Sequence, residues 1–268
     1  MTNPSVALTI AGSDASGGAG IAADLATFAA LGVHGTTVIT AVTAQNTVGV
    51  QGVHPLPSGF VAQQLDSVLD DLPVAAVKAG MLANRDIIAV VGDYAAAGRL
   101  PNLVVDPVMV SSTGARLLDA GAEALYLELL QHATVATPNA REAAVLGEVA
   151  GLDRLDELGR LCPGWLVVTG EATATDLVHH GGEWTELAGE VVETANDHGT
   201  GCTFSSAVAA GLAAGVAPTD AIAAAKGIVR QCIVQSADWD LGAGRGPVGH
   251  LIDRPLLSTA GWPVKTYH

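Results

Sequence analysis

Aromatic residues are scarce, at 4% of 268 residues, so any core must be built from Ala, Val, Leu and Ile. Those types are plentiful: hydrophobic residues make up 49% of the chain and charged residues only 15%. That is ample apolar material for a large buried interior. Cations are scarcer still. Twelve Lys and Arg face 27 Asp and Glu, for a net charge of −15. Nucleic-acid binding surfaces are basic, so no nucleic-acid partner is expected. The same deficit constrains any anionic ligand, which would rest on backbone N–H groups, a few Arg and a metal ion. Cysteine is limited to Cys162, Cys202 and Cys232, with no C-x-x-C pair. That spacing argues against a disulfide framework or a structural zinc site, and an intracellular, cytoplasmic protein is expected. The opening segment lacks a charged stretch followed by a long apolar run, so no secretory leader is expected. The most apolar later stretch, residues 204–218, is too short and too rich in Ser, Ala and Gly to span a bilayer, and no membrane partner is expected.

Short β-rich runs alternate with longer helical patterns. Expected strands are Val6–Ala11, Thr36–Val42, Ala75–Lys78, Leu103–Asp106, Thr134–Thr137 and Leu166–Thr169. Expected helices are Gly20–Leu31, Ser58–Asp71, Asn84–Gly98, Ala120–Gln131 and Ala140–Leu146. Several strands are continuous apolar runs, as when helices cover both faces of a sheet. The alternation predicts an α/β fold with a central, mostly parallel β-sheet and helices on both faces. One segment departs from it: Thr175–His180, Gly181-Gly182 and Glu183–Leu187 read as a β-hairpin with a Gly-Gly turn. Helices Thr200–Ala214 and Pro218–Ser236 should follow, with Pro218 suited to a first turn. A single domain is expected, with an irregular tail from about Leu241.

Five motifs carry chemistry. Asp197-His198-Gly199-Thr200-Gly201-Cys202 opens a small-residue helix, so free N–H groups and the helix dipole converge on one spot. Such a mouth suits a phosphoryl group. The dipole should lower the Cys202 thiol pKa and make it a proton acceptor; a buried, inert cysteine is the ordinary alternative. A Gly-rich loop from Gly12 to Gly20 follows the first strand and matches neither the Walker nor the dinucleotide pattern. Asp24, at the start of the next helix, is either a ligand group or a dipole-favourable acid. In Thr43-Ala44-Gln45-Asn46-Thr47, an amide beside a pocket can meet an aminopyrimidine edge with one donor and one acceptor; a polar loop is the alternative. Asp106-Pro107-Val108-Met109 ends a strand. Asn139 and Glu142, three apart at a helix start, either cap the helix or support a hydrated Mg2+. The isolated histidines His34, His54 and His132, and the His179-His180 pair, lack metal-ligand spacing.

In their order, TIAGSDASGGAGIAADL, TAVTAQNT, KAGML, VVDPVMV, TPNAREA, HGTGC and GRGPVGHL resemble the hydroxymethylpyrimidine/phosphomethylpyrimidine kinase family of thiamine biosynthesis. The resemblance runs from about residue 6 to 251. It implies a ribokinase-like fold and ATP-dependent phosphorylation of 4-amino-5-hydroxymethyl-2-methylpyrimidine, first to the monophosphate and then to the diphosphate. It further implies that Gln45 pairs with the aminopyrimidine while Asp24, Ala19, Met81 and Val108 line the substrate pocket. Cys202 would take the hydroxyl proton beside an anion hole formed with Gly199 and Gly201. Asn139, Glu142, Thr200 and Lys226 would hold ATP, with Asp106 and Glu142 toward Mg2+. A homodimer is the family expectation.

The sequence departs from the family pattern where Ser112-Thr113-Gly114 replaces Lys-Ser-Gly, and where Thr169-Gly170-Glu171-Ala172 replaces Lys-Gly-Gly-His. Asp197 also stands where Thr is common. Each change makes the site less cationic, leaving Arg141, Lys226 and Arg245 to compensate. Two other readings are a pyridoxal kinase of the same superfamily and a degenerate, non-catalytic pyrimidine-binding protein.

Overall fold

Strand β1 (Val6–Ala11) is buried along its whole length, and its alternate residues face two different cores. Leu8 and Ile10 pack into one apolar cluster, and Ala7 into another on the opposite face. That is the period-two geometry of a strand covered on both sides. The computed structural model describes residues 3–170 and 173–250; Glu171, Ala172 and the tail beyond residue 250 lie outside the described residues.

After β1 come α1 (Gly20–Ala30), β2 (His34–Ile39), β3 (Ala41–Asn46), β4 (Gly49–Pro55), α2 (Ser58–Leu69), β5 (Val74–Ala79) and α3 (Arg85–Ala96). Then follow β6 (Leu103–Val105), α4 (Glu123–Leu130), β7 (Val135–Ala136), α5 (Ala140–Val149), α6 (Leu155–Leu161) and β8 (Trp165–Val168). The hairpin β9 (Thr175–His180) and β10 (Glu183–Ala188) leads to α7 (Thr200–Ala213) and α8 (Pro218–Ser236). The main sheet has the order β10-β9-β8-β7-β6-β5-β1-β2. Pairings from β2 to β8 are parallel, and those of β8 with β9 and β9 with β10 are antiparallel. One face is covered by α2 to α6 around Leu65, Ile87, Val91, Tyr126 and Leu146. The other carries α1, α7 and α8 around Phe28, Phe204, Val208 and Ile222. The expected α/β architecture is the one observed.

Two elements differ from expectation. The run 36–42 is not one strand. Thr40, fully buried, donates its hydroxyl to the Met81 carbonyl (2.6 Å) and its N–H to Ala11 (3.0 Å). Pinned there, the chain leaves the main sheet, and β3 pairs with β4 as a separate antiparallel ribbon. Residues 43–46 are therefore strand rather than loop. Helix α6 was not expected, because its apolar signal is only Leu155, Leu158 and Leu161. The Gly-Gly hairpin is as expected: Gly181 and Gly182 have φ of 61° and 89°, the two positive values that a two-residue I′ turn needs.

The sheet order reverses at β1, which lies between β2 and β5. In open α/β sheets, ligands bind beyond the carboxyl ends of the strands at such a switch point.

Candidate active site

A cavity of about 820 Å³ opens at this switch point. It is lined from the strand ends by Gly12, Met81, Asp106, Val108, Thr137 and Thr169, and from the ribbon by Gln45. Its floor includes the first turn of α7, Gly199 to Cys202. Gly199 holds φ at +91° as the N-cap of α7, and a Cβ there would overlap the Gly18 carbonyl oxygen. Only glycine fits both demands. The first i→i−4 bond of the helix runs from Thr203 N–H to Gly199 (2.8 Å). The N–H groups of Gly201 and Cys202 precede it, where helices present donors to anions.

Of the expected substrate-pocket residues, Ala19, Gln45, Met81 and Val108 all line the cavity. Asp24 does not. It is fully buried beneath the floor, where Thr9 (2.6 Å), Ser206 (2.7 Å) and Lys78 (3.0 Å to each oxygen) all donate to its carboxylate. With its oxygens so occupied it serves the scaffold rather than the ligand. Lys78 is likewise withdrawn from the phosphate-facing cations. Burial alone would lower its pKa, but Asp24, Cys202 and Asp106 outweigh that and raise it.

Cys202 lines the cavity, but its thiol is not activated as expected. Burial pushes it up to about 12; Asp24 and Asp106 add to the rise, and Lys78 opposes it. The dipole of α7 is outweighed by desolvation and two nearby carboxylates. Asp106 is itself raised, chiefly by burial, against Lys78 and the Ser205 hydroxyl that donates to it (3.0 Å).

Asn139 and Glu142 form a capping box: the Asn139 side chain accepts from Arg141 and Glu142 N–H (3.0 Å each), and Glu142 accepts from Asn139 N–H (2.9 Å). Both nevertheless line the cavity, as do Asp106, Thr200 and Lys226. Among the described residues no group of three or more His, Cys, Asp or Glu gathers as a metal cage. Mg2+ does not require one, since it keeps several waters and is held through one or two carboxylates with substrate phosphates. The hard carboxylates of Asp106 and Glu142, facing one cavity, fit that donor set. Arg141, Lys226 and Arg245 also line the cavity. Lys226 pairs with Asp176 (2.8 Å), and Arg245 with Asp197.

Sequence reasoning assigned no role to three residues at this site: His198, Asp14 and Ser112. The His198 imidazole is buried between Asp14 and Ser112, and the Gln45 side chain lies 3.5 Å from it. His198 sits inside the quoted glycine turn, which was its one available signal.

A parallel sheet with an antiparallel edge, and a helix mouth facing a deep cleft at the switch point, is the plan of the ribokinase-like small-molecule kinases. Such enzymes bind a phosphoryl donor and a small alcohol along one groove. Over residues 14–249 the sequence matches the phosphomethylpyrimidine kinase family, and the chain belongs to it. A hydroxymethylpyrimidine/phosphomethylpyrimidine kinase of Rhizobium meliloti is 46% identical over 258 residues, covering 91% of this chain and 96% of the relative. Bacillus subtilis pyridoxal kinase, solved with ADP, superposes with a TM-score of 0.83 at 35% identity, over 92% of this chain and 98% of the other. A phosphomethylpyrimidine kinase from Clostridium difficile gives a TM-score of 0.71 at 35% identity, over 84% of this chain and 99% of the other.

Proposed function

We propose that this kinase transfers phosphoryl groups from ATP to 4-amino-5-hydroxymethyl-2-methylpyrimidine, and then to the resulting monophosphate. The observation that carries the reading is that Gln45 and the first turn of α7 face one cavity. The amide recognises the aminopyrimidine edge, with Ala19, Met81 and Val108 against the ring. The N–H groups of Gly199, Gly201 and Cys202 stabilise charge on the transferring group. In-line phosphoryl transfer asks little covalent work of a protein, so positioning and charge stabilisation dominate. Cys202 accepts the substrate hydroxyl proton as thiolate, a small fraction at neutral pH while burial holds the thiol up to about 12. Asn139, Glu142, Thr200 and Lys226 bind the nucleotide, and Asp106 with Glu142 would hold Mg2+, which screens phosphate charge. In this reading the chain works as one domain, as a cytoplasmic homodimer acting on small molecules.

Pyridoxal phosphorylation is the second reading, and the TM-score of 0.83 to a pyridoxal kinase favours keeping it. ATP consumption with each alcohol in parallel, resolving mono- from diphosphate product, tests both. Formation of the pyrimidine diphosphate is expected. Turnover of pyridoxal alone would transfer the assignment to the second reading. Binding of the pyrimidine without any ATP consumption would leave a non-catalytic binder.

A further inference from the structure

The proposed reaction leaves one set of contacts unexplained. The buried His198 ring is bonded at both nitrogens: Nε2 lies 2.7 Å from Asp14 Oδ2, and Nδ1 lies 2.7 Å from Ser112 Oγ. Asp14 also accepts from Ser16 N–H (2.8 Å), Ser16 Oγ–H (2.7 Å) and Ala19 N–H (2.9 Å). Burial would raise this carboxyl, but the hydrogen bonds from His198 and Ser16 outweigh it and hold it below the usual carboxylate range. An ionised acceptor beside Nε2 makes Nε2–H the donor to Asp14, and Nδ1 meets the Ser112 hydroxyl on the other side of the ring.

Ser112 lies in a small loop closed by a bridge between Val110 and Arg116. Its carbonyl accepts from Arg245 (2.9 Å), and Arg245 in turn pairs with Asp197 through Nε (2.7 Å) and Nη2. Two consecutive residues of the turn that opens α7 therefore hold Ser112. His198 does so directly and Asp197 does so through Arg245. Ser112 and Asp197 thus join one network through His198 and Arg245.

We propose that His198 and Ser112 are positioning residues for the binding of both substrates, their hydrogen bond clasping the 110–116 loop onto the mouth of α7. The clasp fixes the cavity wall that carries Val108 against the anion-binding turn. It also holds the His198 ring beside the Gln45 side chain, 3.5 Å away. The geometry stands apart from the reaction, but its catalytic consequence rests on the kinase reading above.

Two readouts on the full-length protein separate the clasp from that reading. In the unliganded enzyme, amide exchange across 110–116 should quicken about tenfold in Ser112→Ala and return to near the wild-type rate in Ser112→Thr, which keeps the hydroxyl. The nitrogen-15 signature of His198 at Nδ1, the atom that meets Ser112, should change in Ser112→Ala. In turnover, Ser112→Ala should raise KM for both substrates about tenfold with kcat within about twofold, and Ser112→Thr should recover KM. Wild-type exchange and an unaltered His198 signature in Ser112→Ala would overturn the clasp even if the enzyme is an active kinase. Altered exchange with unchanged KM would overturn the positioning role. Altered exchange in a protein that consumes no ATP would uphold the clasp and reject the kinase reading.

Discussion

At the residue scale, desolvation decides what Cys202 can do. Its thiol stands at about 12 in the unliganded site, so the thiolate fraction below that rises tenfold per pH unit. If the sulfur takes the substrate proton, the logarithm of kcat should climb with pH through the neutral and alkaline range. Cys202→Ala should remove that climb and slow turnover by about 10² to 10⁴, the usual worth of a positioned acid or base. A mutant with the same pH profile and rate would take Cys202 out of the mechanism. The pair beneath it is structural. Lys78 and Asp24 are both fully buried and 3.0 Å apart, and removing one partner strands a charge away from water. Lys78→Met should lower unfolding free energy by about 3–5 kcal/mol in denaturant titration. A loss below about 1 kcal/mol would mean that Thr9 and Ser206 satisfy the carboxylate alone.

At the element scale, close approach is permitted by missing Cβ atoms. In α6, a Cβ on Gly159 would lie 2.5 Å from His179 Nδ1 and 2.7 Å from two further ring atoms. That ring, in turn, is wedged against Trp184, with centroids 4.9 Å apart. Gly159→Ala should therefore cost about 1–3 kcal/mol through overpacking while leaving kcat unchanged, since α6 lies outside the cavity lining. Gly199→Ala should do the reverse in emphasis. It displaces the turn against Gly18 and so misaims the first N–H groups of α7. Loss of one such donor costs about 10² to 10³ in kcat; wild-type turnover in Gly199→Ala would remove this turn from the anion site.

At the scale of the whole molecule, the net charge of −15 works against an anionic nucleotide. The cations lining the cavity include Arg141, Lys226 and Arg245. Lys226 and Arg245 are already paired with carboxylates, so under the proposed function backbone N–H groups and Mg2+ would carry much of the phosphate charge. Mg-ATP at 100 times its Kd should stabilise the fold by about 2.7 kcal/mol, which for a chain of this size is roughly 5–10 °C in Tm. ATP with excess chelator should give much less. Equal shifts with and without Mg2+ would show that the protein holds the phosphates unaided, and would withdraw Asp106 and Glu142 from metal binding.

What the sequence determined by itself is what local chemistry can specify. Apolar runs and amphipathic spacing marked β1, β5 and every helix but α6 to within a few residues. Gly181-Gly182 fixed a hairpin because only positive φ closes that turn, and Gly-Thr-Gly placed the mouth of α7. Gln45, Asn139 and Cys202 stood out in short motifs with ordinary alternatives beside them, and Met81 entered only through the family resemblance. Tertiary structure decided the rest. Asp24 and Glu142 have the same appearance in sequence, an acid near a helix start, yet one is sealed under the floor and the other lines the cleft. The ribbon β3–β4 required Thr40 to be pinned by β5's end, which no local pattern carries. The His198 clasp joins residues 184 positions apart at Asp14 and 86 apart at Ser112. Periodicity and turn chemistry act over a few residues, whereas burial, pKa and hydrogen-bond partnership are set by whatever the fold brings alongside.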